Sequence, residues 1–118
     1  MTQQNNCERP YGCSVEGTLS VIGGRWKPLI IFYLLQNDVL RFGELKKKIE
    51  GITQGMLTNQ LRELQKDKIV MRKGYAEVPP RVEYSLTDYG RTLDPIMISM
   101  GDWGAEHMNV ECDDDSPL

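Results

Sequence analysis

No apolar run in this sequence exceeds seven residues, Leu29 to Leu35, which is far too short to cross a bilayer. Residues 1–9 are polar and lack the apolar core of a secretion signal, so the expectation is a cytoplasmic protein with no membrane partner. Cysteine is scarce. Cys7, Cys13 and Cys112 are an odd number without C-x-x-C spacing, which argues against a secreted disulfide framework and a zinc knuckle. The single histidine, His107, would need carboxylate help to hold a metal, so neither metal nor cofactor is expected. There is no Gly-rich phosphate loop, no Cys/His pair at a recognisable spacing and no supported triad. No catalytic residue is expected, and the chain does not read as an enzyme.

What remains is ordinary globular material. A chain of 118 residues, 40% apolar and 26% charged, makes one domain able to bury its own core. Its charge is unevenly spread. Residues 1–40 carry three cations and three acids; residues 41–82 carry ten Lys/Arg against five acids; residues 83–118 carry Arg91 alone against nine acids. The net charge of −3 therefore conceals a middle block of +5 and a final block of −8. A local basic field suits a polyanion partner, although clustered lysines also serve as an ordinary solvated face.

Periodicity divides the chain into three parts: a flexible arm at 1–12, a folded domain at 13–110 and an acidic flexible tail at 111–118. Val15, Leu19 and Ile22 recur at helical spacing, and Gly23-Gly24 stops that helix. A second helix starts near Arg25 or Trp26, with Pro28 in its first turn, and the all-round apolar Leu29 to Leu35 puts it in the core. Leu40 to Phe42 suggest a short strand, and Gly43 to Ile49 a short helix with Lys46, Lys47 and Lys48 outward. Gly51-Ile52 is a tight turn, after which Thr53 can cap a helix running to about Asp67. That helix carries Leu57, Leu61 and Leu64 on one stripe, with Gly55, Thr58, Asn59, Arg62 and Lys66 opposite. Strand-like runs at 69–75 and 81–86 flank Ala76 to Pro80, and Thr87 caps a last helical region. There, Pro95 either kinks the helix or opens a new one capped by Asp94.

Short helix, tight turn and a polar-faced helix make a helix-turn-helix, and the hairpin after it makes the wing. The fold class is therefore α+β, mainly α: a winged helix-turn-helix domain. The candidate partner is double-stranded DNA. Gln54, Thr58, Asn59 and Arg62 have the amide, hydroxyl and forked donors that read base edges in the major groove. Thr53 and the amides of the helix start suit a phosphate. Arg72, Lys73 and Arg81 lie on the hairpin arms and suit the backbone or the minor groove. Any one of these residue types is equally at home on a plain solvated surface; the arrangement, with basic blocks on both sides, favours DNA. Leu93, Ile96, Met100 and Trp103, with His107 beyond, form an apolar seam that suits a homodimer, which doubles the contacts across two half-sites. Packing of that helix on its own domain is the alternative. Competing functions are a winged-helix module that binds protein, and a repressor gated by a small ligand held between the last helices and the core.

At this level of detail the chain resembles the HxlR-type bacterial regulators, winged-helix proteins related in fold to the MarR group. The likeness spans Cys13 to Trp103. It rests on Gly23-Gly24-Arg25-Trp26, Arg41-Phe42-Gly43-Glu44-Leu45, Leu57-Thr58-Asn59-Gln60-Leu61-Arg62-Glu63-Leu64 and Pro79-Pro80-Arg81-Val82-Glu83-Tyr84-Ser85-Leu86-Thr87, with Gly90, Leu93, Pro95 and Trp103. The resemblance implies operator binding by a homodimer on an inverted repeat, with dimer contacts from the first and last helices, so Leu19 joins the seam. It also implies that Cys13 matches a position at which some such regulators sense electrophiles or oxidants. A thiol at a helix start lies in the positive end of the dipole, which favours thiolate; a structural or idle thiol is the alternative. Two departures stand out. Ser14 follows the cysteine where many relatives have proline, and Gly55 replaces a longer polar side chain in the recognition helix, which implies one contact fewer. No residue identifies an effector.

Overall fold

The structure, a computed structural model, describes residues 12–108. The expected arm and acidic tail, with Cys7 and Cys112, lie outside the described residues, except that Gly12 opens the first helix. The elements are α1 (Gly12–Ile22), α2 (Trp26–Gln36), β1 (Leu40–Arg41), α3 (Phe42–Lys48), α4 (Gln54–Lys66), β2 (Val70–Tyr75), β3 (Arg81–Leu86), α5 (Asp88–Arg91) and α6 (Asp94–His107).

The seven-residue apolar run falls within α2, where Ile30, Ile31 and Leu34 are fully shielded from solvent. Pro28 sits in the first turn, where a missing N–H breaks no intrahelical bond. Around α2 pack the inward stripe of α4 (Leu57, Leu61, Leu64), Leu45 of α3, Ile49 and Ile52 from the following turn, and Leu93 and Met97. Gly51 makes that turn possible: its φ is +90, a region that a Cβ disfavours. The end of α4 uses a different solution. The amide of Ile69 donates to Leu64 O at 2.9 Å and that of Lys68 to Gln65 O at 3.0 Å, the paired bonds of a Schellman motif. Lys68 takes the left-handed position, φ +64, where glycine is usual.

The sheet has three antiparallel strands in the order β1-β3-β2, so the expected hairpin gains a third strand. Leu40 pairs with Tyr84, and the hairpin runs in register from Val70 opposite Leu86 to Tyr75 opposite Arg81. Side chains alternate across it. Val70, Tyr84 and Leu86 turn into the core, which leaves Met71, Lys73, Tyr75, Arg81 and Glu83 on the outer face. Thr87 ties the base of the hairpin to α5: its hydroxyl donates to Lys68 O at 2.7 Å and accepts from the Gly90 amide at 2.8 Å. Gly90 itself lies so close to the Ile69 carbonyl that a methyl group has no room. Pro95 opens α6 within its first turn instead of kinking a longer helix, and the cap is Leu93, not Asp94. No described helix is long and apolar enough to cross a membrane.

Candidate nucleic-acid interface

The recognition-type helix α4 is positioned by its own sequence. Thr53 has extended backbone and its hydroxyl accepts the Met56 amide at 3.1 Å, which fixes where the helix begins. The amides of Gln54 and Gly55, also in the first turn, have no intrahelical acceptor and stay at the positive end of the dipole. With the leucine stripe buried, Thr53, Gln54, Asn59, Arg62 and Lys66 are all exposed and Thr58 is half-buried. The Thr58 hydroxyl donates to Gln54 O at 2.9 Å, so toward any ligand it offers its acceptor lone pairs. In α3, the helix before the turn, the carboxylate of Glu44 in the first turn accepts the Arg41 amide at 2.8 Å. Its last turn carries the exposed Lys46, Lys47 and Lys48.

One pair in this region was not legible in the sequence. Lys27, buried to 8% exposure in the first turn of α2, places Nζ 2.6 Å from Oε1 of Glu63. The hydrogen bond from Lys27, reinforced by its charge, holds the Glu63 carboxyl below the usual carboxylate range. Glu63 is the only acid in α4, and with it held by Lys27, neither Arg62 nor Lys66 enters an ion pair among the described residues. The available signal was a lone lysine in an otherwise apolar helix start; nothing in the spacing named its partner.

The hairpin cations differ among themselves. Arg72 and Lys73 are exposed and enter no ion pair among the described residues, although Lys73 Nζ lies 5.2 Å from the Tyr75 ring. Arg81 is half-buried. Its Nη2 is 3.0 Å from Glu77 Oε2, its Nε is 3.6 Å from Glu83 Oε2, and its guanidinium stacks 4.0 Å from the Tyr75 ring centroid. The structure thus places Arg81 on the wing, as expected, but with its charge already met by two carboxylates.

Away from this face, α1 and α6 expose apolar side chains: Val15 and Leu19 on the first, Ile96, Ile98, Met100 and Trp103 on the second. Pro95, Ile96, Ser99, Met100 and Trp103 line an open, mostly apolar groove. Leu93 lies deeper than the rest of the expected seam: at 9% exposure it packs in the core cluster with Met97. His107 stacks on Trp103 at 4.6 Å and its Nδ1 lies 3.0 Å from Trp103 O. Cys13, the second residue of α1, is exposed and disulfide-bonded; the chain's other two cysteines lie outside the described residues.

A short helix, a tight turn, a capped helix with a polar outer face and a hairpin behind it define a winged helix-turn-helix transcription regulator. The chain belongs to the HxlR-like helix-turn-helix family, whose model matches residues 21–112. It is 54% identical over 99 residues to the uncharacterized HTH-type transcriptional regulator YybR of Bacillus subtilis (strain 168), an alignment covering 84% of this chain and 78% of that one. Among solved structures it is similar to the redox regulator HypR in its oxidized form, with a TM-score of 0.76, 50% identity and coverage of 80% of this chain and 97% of that one. The reduced form of HypR gives a TM-score of 0.77 and 49% identity, covering 80% and 93%. These relatives are regulators, not enzymes.

Proposed function

We propose that this protein is a cytoplasmic, homodimeric regulator that binds an inverted-repeat operator in double-stranded DNA and responds to oxidants or electrophiles through Cys13. The observation that carries the DNA reading is the outer face of α4. Its cap and leucine stripe fix the helix, its one acid is neutralised from behind by Lys27, and Gln54, Thr58, Asn59 and Arg62 remain to read base edges. Thr53 and the first amides hold a phosphate, and Arg72 and Lys73 follow the backbone from the wing. The exposed apolar side chains of Leu19, Ile96, Met100 and Trp103 support pairing with a second copy, since they would otherwise face water.

The redox part is supported by the likeness to HypR and by the place of Cys13 at the exposed start of α1, the helix that also carries Leu19. Oxidation joins the Cys13 thiol to a second cysteine thiol as one S–S bond, and two protons and two electrons pass to the oxidant. A change at the start of α1 then alters how two recognition helices are spaced. Selection of genomic fragments by the purified protein, with and without oxidant, tests both parts. The expected result is a sequence preference whose affinity falls steeply with salt and changes on oxidation in the wild type but not in Cys13→Ser. Equal oxidant response in both proteins removes Cys13 as the sensor; a tight partner that survives nuclease treatment, without DNA selection, favours the protein-binding module.

A further inference from the structure

We infer that Arg81 is a positioning residue that latches the wing, and that it is not one of the wing's phosphate contacts. This rests on reading the hairpin as the DNA-binding wing. Arg81 and Tyr75 are the last directly opposed pair before the loop 76–80, which contains Pro79 and Pro80 and so lacks two of its amide donors. The hairpin ladder cannot hold that loop. A single backbone bond, Glu77 N to Tyr75 O at 2.9 Å, begins to close it. The Arg81 guanidinium does the rest from three sides. One edge bonds Glu77 of the loop, its face lies on Tyr75 of β2, and Glu83 of its own strand stands beside Nε. A planar, delocalised cation can stack and donate from its edges at once; an ammonium cannot.

The same contacts remove Arg81 from the set of groups available to DNA. Its Nε is sealed from solvent and has no hydrogen-bond acceptor, because Glu83 is an ion-pair neighbour at 3.6 Å and too far to accept. A phosphate approaching the guanidinium would meet the carboxylates of Glu77 and Glu83. Lys73, opposite Glu83, and Arg72 carry no such burden and are the wing's working cations.

Two variants distinguish a latch from a contact by sign. Glu77→Gln removes a negative charge from the wing, so if Arg81 were a phosphate contact held back by Glu77, DNA binding would tighten. Arg81→Lys keeps the cation, so a phosphate contact would largely survive it. As a latch, both variants loosen the wing. Hydrogen exchange of peptides spanning 70–86 in the free protein then rises about threefold to tenfold, as expected when a partly exposed charge-assisted bond is lost. Binding to a random-sequence duplex, measured by anisotropy, weakens for both. Unchanged wing exchange overturns the latch whichever way binding moves. Faster exchange with binding unchanged or tighter overturns its role in presenting the wing. If the wild type itself fails to bind any duplex, the DNA reading is what has failed, and wing exchange alone still decides whether Arg81 is a latch.

Discussion

Arg62 is exposed near the middle of the α4 outer face, and no ion pair among the described residues holds it, so it can reach a guanine edge. Arg62→Ala is expected to cost about 1–3 kcal/mol of operator affinity and to relax preference at one base position, read by titrating single-substituted duplexes. An unchanged preference profile removes Arg62 from the readout. Glu63, its neighbour, acts inside the protein instead. Its carboxyl is held low by Lys27, so its contribution to stability is complete above the usual carboxylate range and is lost as pH falls through the lowered folded value. Glu63→Gln, which leaves the buried Lys27 ammonium without its partner, should therefore lower Tm at pH 7. The gap to wild type should narrow on acidification below the carboxylate range. A gap that is constant with pH would mean that the pair contributes only through packing.

At the scale of the element, α4 is fixed at both ends by local chemistry. Thr53 caps its start, and a left-handed Lys68 terminates it where a side chain is disfavoured. Lys68→Gly should raise stability by up to about 1 kcal/mol, checked by thermal unfolding; a loss of stability would show that the Lys68 side chain is needed at that turn. Most of these elements were legible in advance, because helix α4 announces itself by the Leu57-Leu61-Leu64 stripe, its cap and the Gly51 turn. Leu40 and Arg41 also read as a short strand, but their pairing to β3 was not legible, since two residues carry no period and the partner lies far along the chain. Sequence allows either a kink or a start at Pro95, and the structure has a start. Among the candidate site residues, the solvent-facing side of α4 was readable from helical spacing alone. The engagement of Arg81 by Glu77 and Glu83 was not, because it depends on hairpin register and on how the proline loop folds back. The burial of Leu93 was hidden for a related reason: it falls one residue before α6, outside the helical period of the exposed Ile96, Met100 and Trp103.

For the molecule as a whole, two faces lie apart in function. One is a polar, cationic helix with a hairpin beside it; the other is the apolar side of α1 and α6, with Trp103 at 59% exposure. The proposed operator recognition draws on both, because one helix makes too few base contacts, whereas a twofold pair would address two half-sites about 10 base pairs apart, centre to centre. The net charge of −3 is no obstacle, since the acids concentrate in the last third of the chain and the cations in the helix-turn-helix and wing. Footprinting a selected genomic duplex with wild-type protein and Trp103→Asp is the most direct measurement. Two protected half-sites separated by about one duplex turn are expected for the wild type, and no protection at the same concentration for a monomeric Trp103→Asp. Full protection by a monomer, or a single wild-type footprint with no twofold partner, would contradict recognition by paired α4 helices.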